Sequence, residues 1–264
     1  MTLLYMFVIL VAVLGLTLFL ATRVRRSVPK HLLESNNEAA IVYVTIIGVI
    51  YGVFLAFVIL ALWERRSKAE DHVEAESAQL YVLFRLVREF PAPLRTELIQ
   101  EILAYNKGIV EYEWPLIIKL NLEELDRHSS KMDRIWENIA HFRSDSATEQ
   151  VLYQQALEAC EKVYVARRMR LLDAEDGLGY FMWAMIILGA CTVIIPTLFL
   201  HVEHFGYLVV AKTCMVVLLI LTAYTIYDLQ RPFRGSWPVD SKPYTSIQER
   251  MERIVSEPGT LNSN

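Results

Sequence analysis

The sequence predicts an all-α membrane protein with four transmembrane helices and a helical cytosolic domain between helices 2 and 3. Four apolar runs reach the roughly twenty residues needed to span a bilayer: Leu3 to Ala21, Ala39 to Leu62, Tyr180 to Leu200 and Tyr207 to Tyr227. The polar block between the second and third runs follows helical periodicity and has no alternating strand pattern of useful length. Hydrophobic residues make up 54% of the chain, which is too apolar for an ordinary soluble domain of 264 residues.

The expected organisation is residues 1–62 as spans one and two, 63–179 as the cytosolic domain, 180–229 as spans three and four, and 230–264 as a cytosolic tail. The first run lacks the positive n-region of a signal peptide and its apolar core is too long, so it counts as a span. The second run passes from "GVIYGVFLAFVILALW" into "ERRSKAEDHVEAES" with no proline or glycine at the join. One helix is therefore expected to leave the bilayer unbroken and to end near Pro91 and Pro93.

"PLRTELIQEILAYNKGIVEYEW" begins a further helix with proline in its first turn, and Pro115 is expected to stop or kink it. "LEELDRHSSKMDRIWENIAHF" carries an apolar stripe of Leu122, Leu125, Met132, Ile135, Trp136 and Ile139. The next helix has Ser146 as expected N-cap and Glu149 as the partner of a capping box. It runs towards span three with an interruption around Gly177 and Gly179. Asp228 and Arg231 mark the inner end of span four, where Pro232 stops the helix.

The link "HVEH" between spans three and four has no Lys or Arg, so it is expected to face away from the cytosol. Arg65, Arg66, Lys68, Arg167, Arg168, Arg170, Arg231 and Arg234 place the polar block and tail inside. The link "TRVRRSVPKH" then lies outside with four basic residues, against the rule. The expected location is a cell (inner or plasma) membrane, crossed several times, with the lipid bilayer as the first partner.

Within span two, Thr45, Gly48, Gly52 and Ala56 form a stripe of small residues that suits close helix packing in lipid. Such a stripe serves equally for contact with another span of the same chain. Val49, Val53 and Phe57 stack one position further round. Around the axis of an oligomer they would make successive apolar rings able to gate ions by dewetting; the plainer alternative is lipid or core contact. Glu64 with Lys68, and Arg66 with Glu70, have the spacing of i,i+4 pairs on an exposed helix. Trp63 sits at the expected aromatic belt.

A net charge of −4 gives no support for nucleic-acid binding. Cys160, Cys191 and Cys214 lack metal or disulfide spacing, and the last two read as small core residues. His201, Glu203 and His204 have loose metal-ligand spacing but sit in a short polar loop, so no metal site or cofactor is expected. Lys212 lies close enough to the start of span four to snorkel, with a water-filled path as the alternative. No phosphate loop, GxSxG or HExxH occurs, and an enzyme is not expected.

"LAFVILALWERRSKA" resembles the pore helix of prokaryotic bestrophins, with Val49, Val53 and Phe57 on its three neck positions and Trp63, Arg65 and Ala69 on the downstream pattern. Over most of the chain, "LAYNKGIVEYEWP", "ARRMRLL" and "LQRPFRG" follow in order. These are similar to the bestrophin-like family of bacterial membrane proteins of unknown function. Its landmarks fall on Trp63, Glu113, Trp114, Arg168, Arg231, Pro232 and Phe233, with Gly235 just after them. The resemblance implies a homo-oligomer, pentameric as bestrophins are, with span two lining a pore for inorganic ions. One departure is "VILAL" after Phe57, where bestrophins carry polar residues. The competing expectation is a non-conducting scaffold or stress sensor whose helical cytosolic domain binds a partner.

Overall fold

A computed structural model describes residues 2–35, 37–121, 124–125, 130–142, 146–175, 177–202 and 204–257. Among them the chain is all helical, without strands. In order, the helices are α1 (Thr2–Ser27), α2 (Lys30–Ser35), α3 (Asn37–Val87), α4 (Leu94–Gly108), a π-helical turn (Ile109–Glu113) and α5 (Trp114–Lys119). They continue with α6 (Ser130–Ala140), α7 (Ala147–Asp173), α8 (Tyr180–Thr197), α9 (Phe205–Leu229) and α10 (Lys242–Ser256). The chain divides into two compact units, Met1–Glu64 with Gly177–Gln230, and Arg65–Asp176 with Arg231–Asn264.

Four helices are long and apolar enough to cross a membrane: Met6–Ser27, a stretch of Asn37–Val87, Tyr180–Thr197 and Gly206–Leu229. The protein is a multi-pass membrane protein in contact with lipid. Its second spanning helix, α3, continues unbroken for 51 residues, roughly 75 Å at the α-helical rise and more than twice a bilayer's hydrocarbon thickness.

In the first unit α1 packs along α9. Tyr51, Leu55, Val58 and Leu62 of α3 close a core with Ile186 and Val193 of α8 and Ile226 and Leu229 of α9. The Tyr51 hydroxyl donates to the Ile186 carbonyl at 2.7 Å, and a Cβ at Gly189 would overlap the Tyr51 ring. That glycine lets α3 and α8 meet around a bulky aromatic. Thr45, Thr192 and Thr213 each donate to the carbonyl four residues back at 2.8 Å, which satisfies their hydroxyls without water.

Cys191 and Cys214 are exposed rather than in the core, because a span presents apolar residues outward to lipid as readily as inward. The His201 amide donates to Asn37 Oδ1 at 3.0 Å, and Asn37 Nδ2 donates to the His201 carbonyl at 3.2 Å. The start of α3 and the link after α8 therefore meet at one end of the spans, and Arg23, Arg25 and Arg26 of the expected basic link lie within α1 instead.

In the second unit, Ala69, Val73, Leu80, Leu83 and Val87 of α3 pack with Leu98 and Ile102 of α4 and with Ala156, Cys160 and Val163 of α7. Helix α3 ends just before Pro91, where the residue before a proline disfavours further α geometry. Pro115 does not stop its helix. The Trp114 amide donates five residues back to Ile109, the chain passes through the π-helical turn, and helix resumes to Lys119. Pro115 has no N–H to give, so one ladder bond is already missing where the turn widens. Leu120, with φ 57°, then terminates α5, and the Asn121 amide donates to the Leu116 carbonyl at 3.1 Å.

Leu125, and Met132, Ile135 and Ile139 of α6, are buried, whereas Trp136 is exposed and Leu122 lies outside the described residues. Ser146 is the N-cap of α7 as expected, but its side chain makes no capping bond, so its half of the expected capping box is missing. Arg66 and Glu70 pair at 3.4 Å as spaced.

Candidate functional site

Helical periodicity puts Glu76 in the buried phase of α3, at the same spacing as Val73, Leu80 and Leu83. The same phase of α7 carries Val163, Arg167 and Arg170. Five elements of the second unit thereby bring their charges and hydroxyls into one buried cluster. Arg170 Nε donates to Glu76 Oε2 at 2.7 Å, and Arg170 Nη2 reaches Glu113 Oε2 at 2.7 Å. Arg167 Nη2 donates to Glu113 Oε1 at 2.9 Å. The hydroxyls of Tyr105 and Tyr244 donate to Glu76 at 3.1 and 2.8 Å.

Two guanidiniums face two carboxyl groups, so the cluster balances its own charge, as a buried polar network must. The π-helical turn delivers Glu113 to it. Around it, Trp114 packs edge-on against Phe233 at 5.5 Å and against Tyr244 at 6.0 Å. Asn106 Nδ2 donates to the Tyr244 carbonyl at 2.9 Å and fixes α10.

Burial alone would raise the Glu113 pKa, but the Arg170 and Arg167 guanidiniums outweigh it and hold the carboxyl below its usual range. Burial and the neighbouring Glu76 hold the Tyr105 and Tyr244 phenols well above theirs. The cluster is buried, and of the Arg170 nitrogens Nε and Nη2 are bonded to carboxylates while Nη1 is left without a hydrogen-bond partner. Its chemistry is that of a fixed junction joining α3, α4, α7 and α10, with no free acid or base to offer.

The sequence singled out Glu113, Trp114 and Phe233, which meet here, and Arg168, which does not: Arg168 is exposed and its neighbours Arg167 and Arg170 enter the cluster. Glu76, Tyr105 and Tyr244 were not singled out. Their signal was present in the sequence, as polar residues on the apolar phase of their helices. Pro232 is buried and its carbonyl accepts from the Val239 amide at 2.8 Å, closing the turn after Arg231, which is half-buried.

In the first unit, Val49, Val53 and Phe57 lie on the side of α3 away from the packed Tyr51, Leu55, Val58 and Leu62, and are 61%, 52% and 68% exposed. Thr45, Gly52 and Ala56 are exposed beside them and Gly48 is half-buried. A Cβ at Gly48 or Gly52 would meet no atom within 4 Å, so among the described residues no other helix packs closely on these two glycines. Trp63 is exposed at the end of the same segment.

Lys212 does not snorkel. It is buried, and its ammonium donates to the Thr197 carbonyl at 2.7 Å and to the Thr197 hydroxyl at 3.3 Å, at the C-terminal end of α8. His201 Nε2 lies 3.4 Å from Glu34, and Glu203 lies outside the described residues. Among the described residues no group of three or more His, Cys, Asp or Glu is arranged to hold a metal ion.

No curated protein matches the chain. A crystal structure of a membrane protein in a proline-to-alanine variant shares the fold with a TM-score of 0.62 at 13% identity, over 92% of this chain and 96% of that one. The bestrophin-like domain matches residues 11–244. With that match spanning most of its length, and with four helices among the described residues long and apolar enough to cross a membrane, the chain belongs to the bestrophin-like family.

Proposed function

We propose that the protein is an oligomeric ion channel of the cell (inner or plasma) membrane, a pentamer by its likeness to bestrophins, with an apolar neck formed by Val49, Val53 and Phe57. The observation that carries this reading is the unpartnered face of α3. Three large apolar side chains stand exposed beside a small-residue stripe whose two glycines have no atom within 4 Å of an added Cβ. Small residues let neighbouring α3 helices approach closely, and the apolar side chains next to them then turn towards a shared axis. Rings of Val and Phe exclude water from a narrow pore and so gate it.

In this reading the 63–179 block and the tail from residue 230 face the cytosol. The unbroken α3 is the lever, with neck residues on its membrane stretch and Glu76, held by Arg170, on its extension. A cytosolic event that disturbs the charge cluster would rotate or tilt the helix that carries the neck.

The test is ion flux through purified protein in liposomes, with Val53→Ala and Phe57→Ala beside wild type. Larger flux in both variants supports the neck. Silence of all three proteins under several salts, with each folded and oligomeric, overturns the channel reading and leaves a membrane scaffold or sensor.

A further inference from the structure

The geometry points to a binding site for an anionic phospholipid in the first unit, with Lys212 as its cation and an apolar cavity as its chain pocket. Lys212 is 5% exposed. Its ammonium has three donors, and both of its hydrogen bonds go to Thr197. Those acceptors are a carbonyl and a hydroxyl, and neither carries a full negative charge. Among the described residues no carboxylate pairs with Lys212. A buried cation at membrane depth is costly until an anion joins it.

Lys212 and its acceptor Thr197 are both among the residues lining an open cavity of about 170 Å³, whose other walls include Leu200, Val202, Leu208 and Met215. A small second cavity shares Leu200, Val202 and Leu208 and has Arg25 among its lining residues. Lys212 is seven residues into α9, roughly 10 Å along the helix from its first residue, and so lies in the first third of the span. A phosphoryl oxygen at Lys212 with an acyl chain against Leu208 and Met215 meets both halves of this chemistry. A zwitterionic lipid brings a cation that Lys212 repels, and a free phosphate ion leaves the apolar wall unused. The site also gives a use to positive charge kept beside the link after α1, where the loop rule disfavours it.

The test uses the full chain, purified in neutral detergent and stripped of lipid. Its Tm is followed against phosphatidylglycerol, phosphatidylcholine and inorganic phosphate, for wild type and Lys212→Met. The expected result is a rise in wild-type Tm with phosphatidylglycerol alone, lost in Lys212→Met. Equal shifts with the two lipids overturn the site, as does a shift that survives in Lys212→Met, which would leave Lys212 as a helix cap only. A shift with inorganic phosphate of the same size identifies the ion as ligand and overturns the lipid. Should Lys212→Met fail to fold, Leu208→Trp fills the cavity while keeping the ammonium; the phosphatidylglycerol shift must then disappear, and its persistence overturns the proposal.

Discussion

Arg170 Nε lies 2.7 Å from Glu76 Oε2, and neither side chain is exposed. Ninety-four residues of sequence separate the two, so the pair fixes how α7 lies on the extension of α3. An ion pair of this kind gives little net stability over a well-packed apolar substitute, because desolvating both charges cancels most of their attraction. Its strength lies in direction, since only one register of the two helices satisfies both groups.

Removing one partner is therefore expected to be far worse than removing both. Arg170→Met strands Glu76 and one oxygen of Glu113, and is expected to cost about 3–5 kcal/mol. Arg170→Met with Glu76→Leu should recover part of that loss, because Arg167 still holds Glu113. Chemical unfolding of the purified protein followed by circular dichroism gives both values. Additive effects of the two substitutions would show that the pair is not coupled.

Stability should fall at both ends of the pH scale. Glu113 has its folded pKa lowered, so its contribution is complete above the ordinary carboxylate value and is lost as pH falls through the folded value below it. Tyr105 and Tyr244 have theirs raised well above the ordinary 10.0, so their contribution is complete below about 10 and is lost as pH rises towards the folded values. Tyr244→Phe should lower stability at neutral pH by about 1.5–3 kcal/mol through its lost bond to Glu76, and flatten the alkaline limb. An alkaline limb as steep as wild type's would exclude Tyr244 as a source.

The periodicity that located the helices marks the members of this cluster one by one but does not join them. Spans, the unbroken exit of α3 and the proline-bounded end near residue 90 follow from hydropathy and helix breakers, which act locally. Glu76 and Arg170 were legible only as charges because their partners lie on other helices, and a charge on an apolar phase does not announce which charge it meets. Lys212 misled for the same reason: its distance from the helix end suits snorkelling, and only the position of Thr197 on another helix shows it turned inward. The π-helical turn has a local signal in Pro115, but that residue fits a stop or a kink equally well until the turn's hydrogen bonds are seen. Cys191 and Cys214 were misjudged because lipid removes the contrast between inside and outside that makes burial readable in water.

Cys160 should be inert to thiol reagents in the folded protein. It is 1% exposed and burial pushes its thiol up to about 12, so at neutral pH almost no thiolate is present or reachable. In a variant with Cys191 and Cys214 replaced by serine, maleimide labelling is expected only at the rate of unfolding. Rapid labelling of the folded protein would mean that the core around α7 opens on its own.

Gly189→Val is expected to disturb the first unit more than its size suggests. Its Cβ would occupy space held by the Tyr51 ring, which would have to leave and give up the bond to the Ile186 carbonyl. Tyr51→Phe loses that bond alone, worth about 0.6–2 kcal/mol within a membrane. Thermal unfolding in detergent should therefore rank Gly189→Val below Tyr51→Phe, and Tyr51→Phe below wild type. In Gly189→Val with Tyr51→Ala the clash is gone, so the effects of the two substitutions should not add.

Gly52→Leu offers the sharpest separation between subunit and assembly. A Cβ at Gly52 would meet no atom within 4 Å, and the residue lies outside the packed face of α3, so the larger side chain has room in the isolated subunit. Leucine also favours helix over glycine by roughly 0.8 kcal/mol, and the fold should be kept or slightly strengthened. If the stripe packs against a second copy, the same side chain pushes the backbones apart, because close approach in lipid depends on the missing Cβ. The expected outcome is unchanged helical content with a drop in mass by light scattering in detergent, and Gly48→Leu should behave likewise. An oligomer of unchanged mass in both variants would move the subunit contact to another face of α3, and the neck at Val49, Val53 and Phe57 would lose its structural basis.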